Sequence, residues 1–169
     1  MELSRLYNIP CFNKDLIKEV LGCGFGQDGG LVLEKGSSAT FLLMMHITEK
    51  LIKTGSQLIL ESNFKLHEME QIQVLLDKYN YSCLSFIFKG DFNVLFERYM
   101  KRDNAGARHW VHDTSGENSE NFAQDHIKEG IGKMGIGKTI ITDVTSFSDV
   151  NYNELYSAAG AFLQTESCE

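Results

Sequence analysis

One rhythm limits what this chain can fold into: short apolar runs alternate with longer segments whose apolar residues recur at helical spacing. The runs Gln57-Leu58-Ile59-Leu60-Glu61, 82–88 (with Leu84, Phe86 and Phe88) and Thr139-Ile140-Ile141-Thr142-Asp143 have the length and composition of strands. The first is apolar enough to sit inside a parallel sheet, where both faces are covered. Parallel neighbours need a crossover, and a helix is its usual form. The alternation therefore predicts an α/β domain with a parallel sheet. At 169 residues and 43% hydrophobic composition, the chain has apolar material for one sizeable core.

Residues 1–7 read as a helix end, and the segment around Pro10 as extended. Asn13 is placed to cap a short helix with Leu16, Ile17, Val20 and Leu21 inward. Residues 22–36 read as a glycine-rich connection, followed by a helix over 37–54 with Leu43, Met44, Ile47 and Leu51 buried and Gly55 as its stop. Ser62 or Asn63 would cap the next helix, with Met69, Ile72, Leu75, Leu76 and Tyr79 inward. Asp91 caps a helix over 91–103 whose stripe is Phe92, Leu95, Phe96, Tyr99 and Met100. A weak helix is expected around 122–128, and a closing helix from Asp149. No internal repeat is visible.

A net charge of −7 argues against general nucleic-acid binding, and local basic clusters in an acidic chain suit a small anionic ligand better. The four cysteines show no CxxC spacing, and nothing in their positions favours disulfides. The longest apolar run, Phe41 to Met45, is too short to span a bilayer, so no membrane association is expected. The amino end, MELSRLYN, lacks the apolar region of a signal peptide, and the chain reads as cytoplasmic.

Residues 132–139 (GKMGIGKT) satisfy GxxxxGK[ST] letter for letter. A phosphate-binding loop needs a buried strand before it and a helix after it, so that helix-terminal N–H groups cradle the phosphates. Here polar residues (His126 to Glu129) precede the match and a strand-like run follows. The context is inverted, and the match reads as a flexible lead-in to the last strand.

The stretch Leu84 to His112 puts a strand, an arginine-bearing helix and a basic loop in series. Arg98 and Arg102 lie four apart on a flank of the helical stripe, and Arg108-His109-Trp110-Val111-His112 forms a second basic cluster. Guanidinium forks bind phosphate bidentately, although solvated helix arginines give the same spacing. Asp15 falls in a first helical turn, where a carboxylate partners the helix dipole. Lys14 beside it is a candidate anion holder or a solvated side chain. Glu61 ends an apolar strand on the carboxyl side of the sheet, where open α/β folds bind ligands. A carboxylate buried there needs a partner, substrate or metal-bound water. Asn63 is a substrate contact or a cap. Asp143 and Thr145 end the last strand, in position for a turn cap. His109 and His112 have no evident third ligand, so no metal site is expected.

Four segments together, IPCFNKDLIKEVLG (9–22), QLILESNF (57–64), FERYMKRDNAGARHWVH (96–112) and ITDVTSFSDVNYNEL (141–155), resemble the small P-loop kinase-like NTPases. That group includes AAA family ATPases of the zeta-toxin type and is similar to chloramphenicol phosphotransferase and gluconate or shikimate kinases. The resemblance implies a single domain over 1–169, a three-layer arrangement of parallel sheet and flanking helices, a lid over about 103–118, and use of ATP and Mg²⁺. It implies phosphoryl transfer to a small-molecule or nucleotide-like hydroxyl. Asp15 would be base or orienter, Lys14, Glu61 and Asn63 substrate contacts, Arg98 and Arg102 nucleotide or phosphate contacts, and Arg108 an arginine finger. Trp110 departs from the small residues usual at its position.

The family's opening strand, Walker A loop and first helical turns have no counterpart here. About 20–25 residues, most of the first half of a βαβ unit, are therefore expected to be missing. Without them ATP binding is expected to be lost, and strands flanking the empty central place would expose edges that favour self-association. The alternative expectation is a non-catalytic remnant that binds an anionic ligand or a protein partner.

Overall fold

The computed structural model describes residues 2–26, 30–105, 109–112 and 118–165. The helices are α1 (Glu2–Tyr7), α2 (Lys14–Phe25), α3 (Gly30–Ile52), α4 (Leu66–Tyr79), α5 (Phe92–Asn104), α6 (Ser119–Glu129) and α7 (Tyr152–Thr165). The strands are β1 (Cys11–Asn13), β2 (Ile59–Glu61), β3 (Leu84–Lys89) and β4 (Lys138–Asp143), with 3-10 turns at Trp110–His112 and Phe147–Asp149.

The chain is a mixed α/β fold with parallel pairing, as the alternation implies. It does not form one continuous sheet among the described residues. β1 pairs only with β2 (Phe12 opposite Leu60), and β3 only with β4 (Phe86 opposite Ile140). The core is formed by Phe41 and Ile52 of α3, Ile72, Leu75 and Leu76 of α4, and Ile136 before β4. Leu60 of β2 and Cys83 at the head of β3 pack against it. No residue of the four strands is fully buried, and Phe88 and Ile141 are 57% and 61% exposed. The apolar runs are real strands, but the interior position expected for β2 is not seen. Among the described residues each strand has a partner on one side only.

Helices and caps show where local chemistry decides. Asn13 Oδ1 accepts from the Leu16 N–H at 3.0 Å, and Asp91 Oδ1 from the Val94 N–H at 3.1 Å, both as expected of N-caps. α4 buries Ile72, Leu75 and Leu76, with Met69 and Tyr79 packed alongside. Its N-cap is Lys65, not Ser62 or Asn63.

α2 and α3 depart most from the sequence reading. Residues 22–25 and 30–36 are helical, not a loose connection. Gly22 is buried because a Cβ there would lie 2.3 Å from Val111 Cγ1, so the glycine serves packing and not a turn. α3 buries Thr40, Phe41, Met44, Thr48 and Ile52, while Leu43 faces outward. The two threonines enter the core because their hydroxyls bond back to Gly36 O (2.6 Å) and Met44 O (2.8 Å). The inward face expected for α2 also fails: Leu16 and Val20 are exposed and Lys14 is buried.

α5 carries its aromatic stripe as expected, yet buries none of it. Phe122 of α6 covers part of the stripe, with ring centroids 5.9, 5.4 and 4.8 Å from Phe92, Phe96 and Tyr99. At the opposite end α1 lies on α7, where the Tyr7 hydroxyl donates to Tyr156 O at 2.6 Å. Among the described residues no helix is long and apolar enough to cross a membrane.

Candidate functional site

Four segments distant in sequence converge on one small cavity of about 130 Å³. α2 contributes Lys14, Asp15 and Lys18 from its first two turns, and α3 contributes Ser37. The β2–α4 connection adds Ser62, Asn63 and Lys65, and the 109–112 turn closes the cavity with His112. Three of the residues singled out in the sequence, Lys14, Asp15 and Asn63, therefore meet here. Asp15 and Asn63 are exposed to solvent, whereas Lys14 is only 6% exposed.

A buried ion pair fixes this corner. Glu68, in the first turn of α4 and 2% exposed, accepts from Lys14 Nζ through Oε1 and from the Lys65 N–H at 3.1 Å through Oε2. The second contact is half of a capping box, in which the third helical residue reaches back to the cap. The first carries the buried ammonium, which also lies 5.6 Å from the centre of the Phe41 ring. One carboxylate thus sets the start of α2 against the start of α4, and with them Asp15, Asn63 and Lys65.

The 109–112 turn is clamped to one face of α2. Lys18 Nζ donates to Val111 O at 2.7 Å, Glu19 Oε1 lies 3.1 Å from His112 Nε2, and Cys23 Sγ lies 3.4 Å from His109 Nε2. Gly22 between them provides the close approach, and Val111 is 1% exposed. The two histidines are thus turned to α2 and face different partners. Among the described residues no group of three His, Cys, Asp or Glu side chains could hold a metal ion.

The arginines sit elsewhere. The Arg98 guanidinium donates to Val144 O (2.5 Å) and Thr145 O (2.6 Å) and lies 4.1 Å from the Phe147 ring centre. That arrangement ties α5 to the end of β4. Arg102 is exposed, 5.9 Å from the Tyr99 ring centre, and Arg108 lies outside the described residues, as does half of the expected lid. Asp143 Oδ1 accepts from the Thr145 N–H at 2.7 Å, and the Thr145 hydroxyl accepts from the Asp91 N–H at 2.8 Å. These bonds make a turn, and the Thr145 hydrogen bonds hold the Asp143 carboxyl below its usual range. A strand, not a helix, runs from Lys138, so Thr139 of the GxxxxGKT match stands opposite Ser85 in a ladder.

Glu61 lies at the end of β2 as expected, but it is exposed and does not line the cavity, so the burial argument for its use does not hold. Its Oε2 is 3.9 Å from Cys11 Sγ. The Cys11 thiol is pushed up by burial and then by the Glu61 charge. Sequence reasoning missed Lys18, Lys65, Ser37 and Glu68. Glu68 was findable: three residues after a helix start, a glutamate fits the capping-box position. The others carry no local signal, because only tertiary packing brings them together.

No protein-family model matches the chain, and no curated protein does. Among solved structures it is similar to a protein from Chloroflexus aurantiacus J-10-fl described provisionally as a kinase, at 21% identity and a TM-score of 0.77. The match covers 97% of this chain and 86% of that one. At that identity the likeness establishes a shared fold.

Proposed function

We propose that this chain is the acceptor-binding part of a P-loop kinase-type domain that transfers a phosphoryl group from ATP to a hydroxyl of a small molecule. The observation that carries the reading is the convergence of Asp15, Lys14 and Asn63 on one cavity, in a fold shared with a protein described as a kinase. Asp15 orients the hydroxyl and accepts its proton, which needs only hydrogen-bond reach. Lys18 and Lys65 hold the acceptor, and Lys14, paired with the buried Glu68, fixes the wall beside them. Arg102 and Arg108 meet the nucleotide phosphates, and ATP with Mg²⁺ supplies the phosphoryl group.

The division of the strands into two pairs supports the finer reading. Among the described residues β2 and β3 each pair on one side only, and Leu60 of β2 and Cys83 just before β3 pack on one core, which suits a further central strand leading into a glycine-rich phosphate cradle. On this reading the 169-residue chain binds Mg²⁺–ATP only weakly, and the GKMGIGKT loop takes no part. Calorimetric titration with Mg²⁺–ATP tests it. Submicromolar affinity abolished by Lys138→Ala would refute it, because the cradle would then lie in 132–139.

One observation favours a second reading, in which the domain binds an anionic ligand without transferring phosphate. Arg98 is committed to two carbonyls and an aromatic face, which removes one of the cations expected at a nucleotide. Phosphorus NMR with Mg²⁺–ATP and hydroxylated acceptors, on the chain extended at its amino end by a strand and a GxxxxGK[ST] loop, separates the two, since only the first predicts ADP and a phosphorylated product.

A further inference from the structure

The cavity carries more information than a place for a hydroxyl. Its walls bring three ammonium groups, an imidazole and two hydroxyls around one lining carboxylate, Asp15. It also lies where two long helices begin: Lys14 and Asp15 are in the first turn of α2, and Lys65 is the N-cap of α4. Helix amino ends present partly positive N–H groups, so the fixed dipoles and the lysines favour the same sign of ligand charge. At about 130 Å³ the space falls well below the roughly 300–1,000 Å³ of pockets that enclose drug-sized ligands. It therefore admits a compact group, and a bulky acceptor would enter by one end only.

The counter-charges are arranged unequally. Lys14 is held by the buried Glu68, so its role is to set the frame. Lys65 meets Glu129 at 3.2 Å with both side chains about a third exposed, a contact that an incoming oxyanion can replace at little cost. Lys18 donates to a backbone carbonyl of the turn that carries His112, so it links the ligand space to the closing segment.

We infer that the cavity selects an acceptor that bears a compact oxyanion, a carboxylate or phosphoryl group, within a few bonds of the hydroxyl presented to Asp15. The role of Asp15 rests on the phosphoryl-transfer reading; the preference for an anion does not. The anion engages Lys18 and Lys65, away from the Asp15 carboxylate, whose like charge leaves that wall to the hydroxyl.

Calorimetric titration of the 169-residue chain with glycerol 3-phosphate, glycerate and glycerol tests this without ATP. The two charged probes should bind saturably, at least about tenfold tighter than glycerol, since each charge-assisted hydrogen bond contributes on the order of tenfold. Lys18→Ala and Lys65→Ala should each weaken glycerate by about tenfold, with Lys18→Gln and Lys65→Gln as variants that keep side-chain bulk. Lys50→Ala, an exposed position at the far end of α3, should change nothing. Equal affinity for glycerol, absence of saturable binding by both charged probes, or insensitivity to the lysine variants while far-UV circular dichroism shows a native fold would overturn the inference. Charged-probe binding by a chain that still transfers no phosphoryl group after a strand and GxxxxGK[ST] loop are added at its amino end would instead defeat the kinase reading and leave the anion preference standing.

Discussion

Removing Glu68 should be among the most damaging single changes available to this molecule. Its carboxylate and the Lys14 ammonium have only 3% and 8% of their side-chain surface exposed, so neither is screened by water. In Glu68→Ala the ammonium keeps its burial and loses its anion, a situation that costs about 3–5 kcal/mol. The lost contact to the Lys65 N–H belongs to the same deletion. With a urea slope of about 2 kcal/mol/M, the midpoint should fall by about 2 M, at an unchanged slope. The double variant Lys14→Met/Glu68→Leu removes both charges and retains apolar volume against Phe41. It should lose far less than Glu68→Ala, because a buried pair replaced by packed apolar groups is often neutral. Urea unfolding followed by far-UV circular dichroism on the wild type, Lys14→Met, Glu68→Leu and the double variant gives the coupling directly. The reasoning fails if Glu68→Ala costs less than about 1 kcal/mol, or if the double variant is no better than the singles.

Gly22→Val should push the 109–112 turn off α2, since the new Cβ falls 2.3 Å from Val111 Cγ1. Overpacking of about 1–3 kcal/mol is expected, with a changed emission from Trp110, the chain's single tryptophan, as the readout. Arg98→Ala should cost about 2–3 kcal/mol through two charged hydrogen bonds and a ring contact, and Arg98→Lys should recover little because a lysine lacks the planar fork. Hydrogen exchange across 144–147 should rise in both. The Glu49 carboxyl is held down to about 2 by hydrogen bonds from Tyr79, Lys78 and Lys53. Because its folded value is depressed, its contribution is complete above about pH 4.3, the unfolded range, and is lost as pH falls through about 2. Tyr79→Phe should shift its carbon-detected NMR titration midpoint upward.

Strand and helix positions were legible where one local signal dominates. Asp91 and Asn13 cap as their side-chain chemistry dictates, and α4 shows its inward face in its spacing alone. Legibility failed where burial runs against residue type. Thr40 and Thr48 occupy the core because a helix lets each hydroxyl bond to the carbonyl four residues back. Lys14 is buried because Glu68, 54 positions away, meets it there. The glycines of 22–36 read as a loop, yet Gly22 is a contact surface whose partner lies far along the chain. At the candidate site, Lys14, Asp15 and Asn63 were foreseen, whereas Lys18, Lys65 and His112 acquire meaning only once the 109–112 turn is seen docked on α2. Arg98 had the spacing of a phosphate ligand, but the carbonyls of β4's exit claim it first.

Because no backbone ladder joins β2 to β3 among the described residues, the acid-bearing half and the arginine-bearing half are linked chiefly by side-chain packing around Phe41, Ile72 and Ile136. Side chains slide where hydrogen-bonded strands do not. Amides of β1 and β2 should therefore open and exchange as one unit and those of β3 and β4 as another, with different free energies. A shear of a few tenths of an ångström along that seam would change the distance between Asp15 and Arg102 without breaking a single strand pairing.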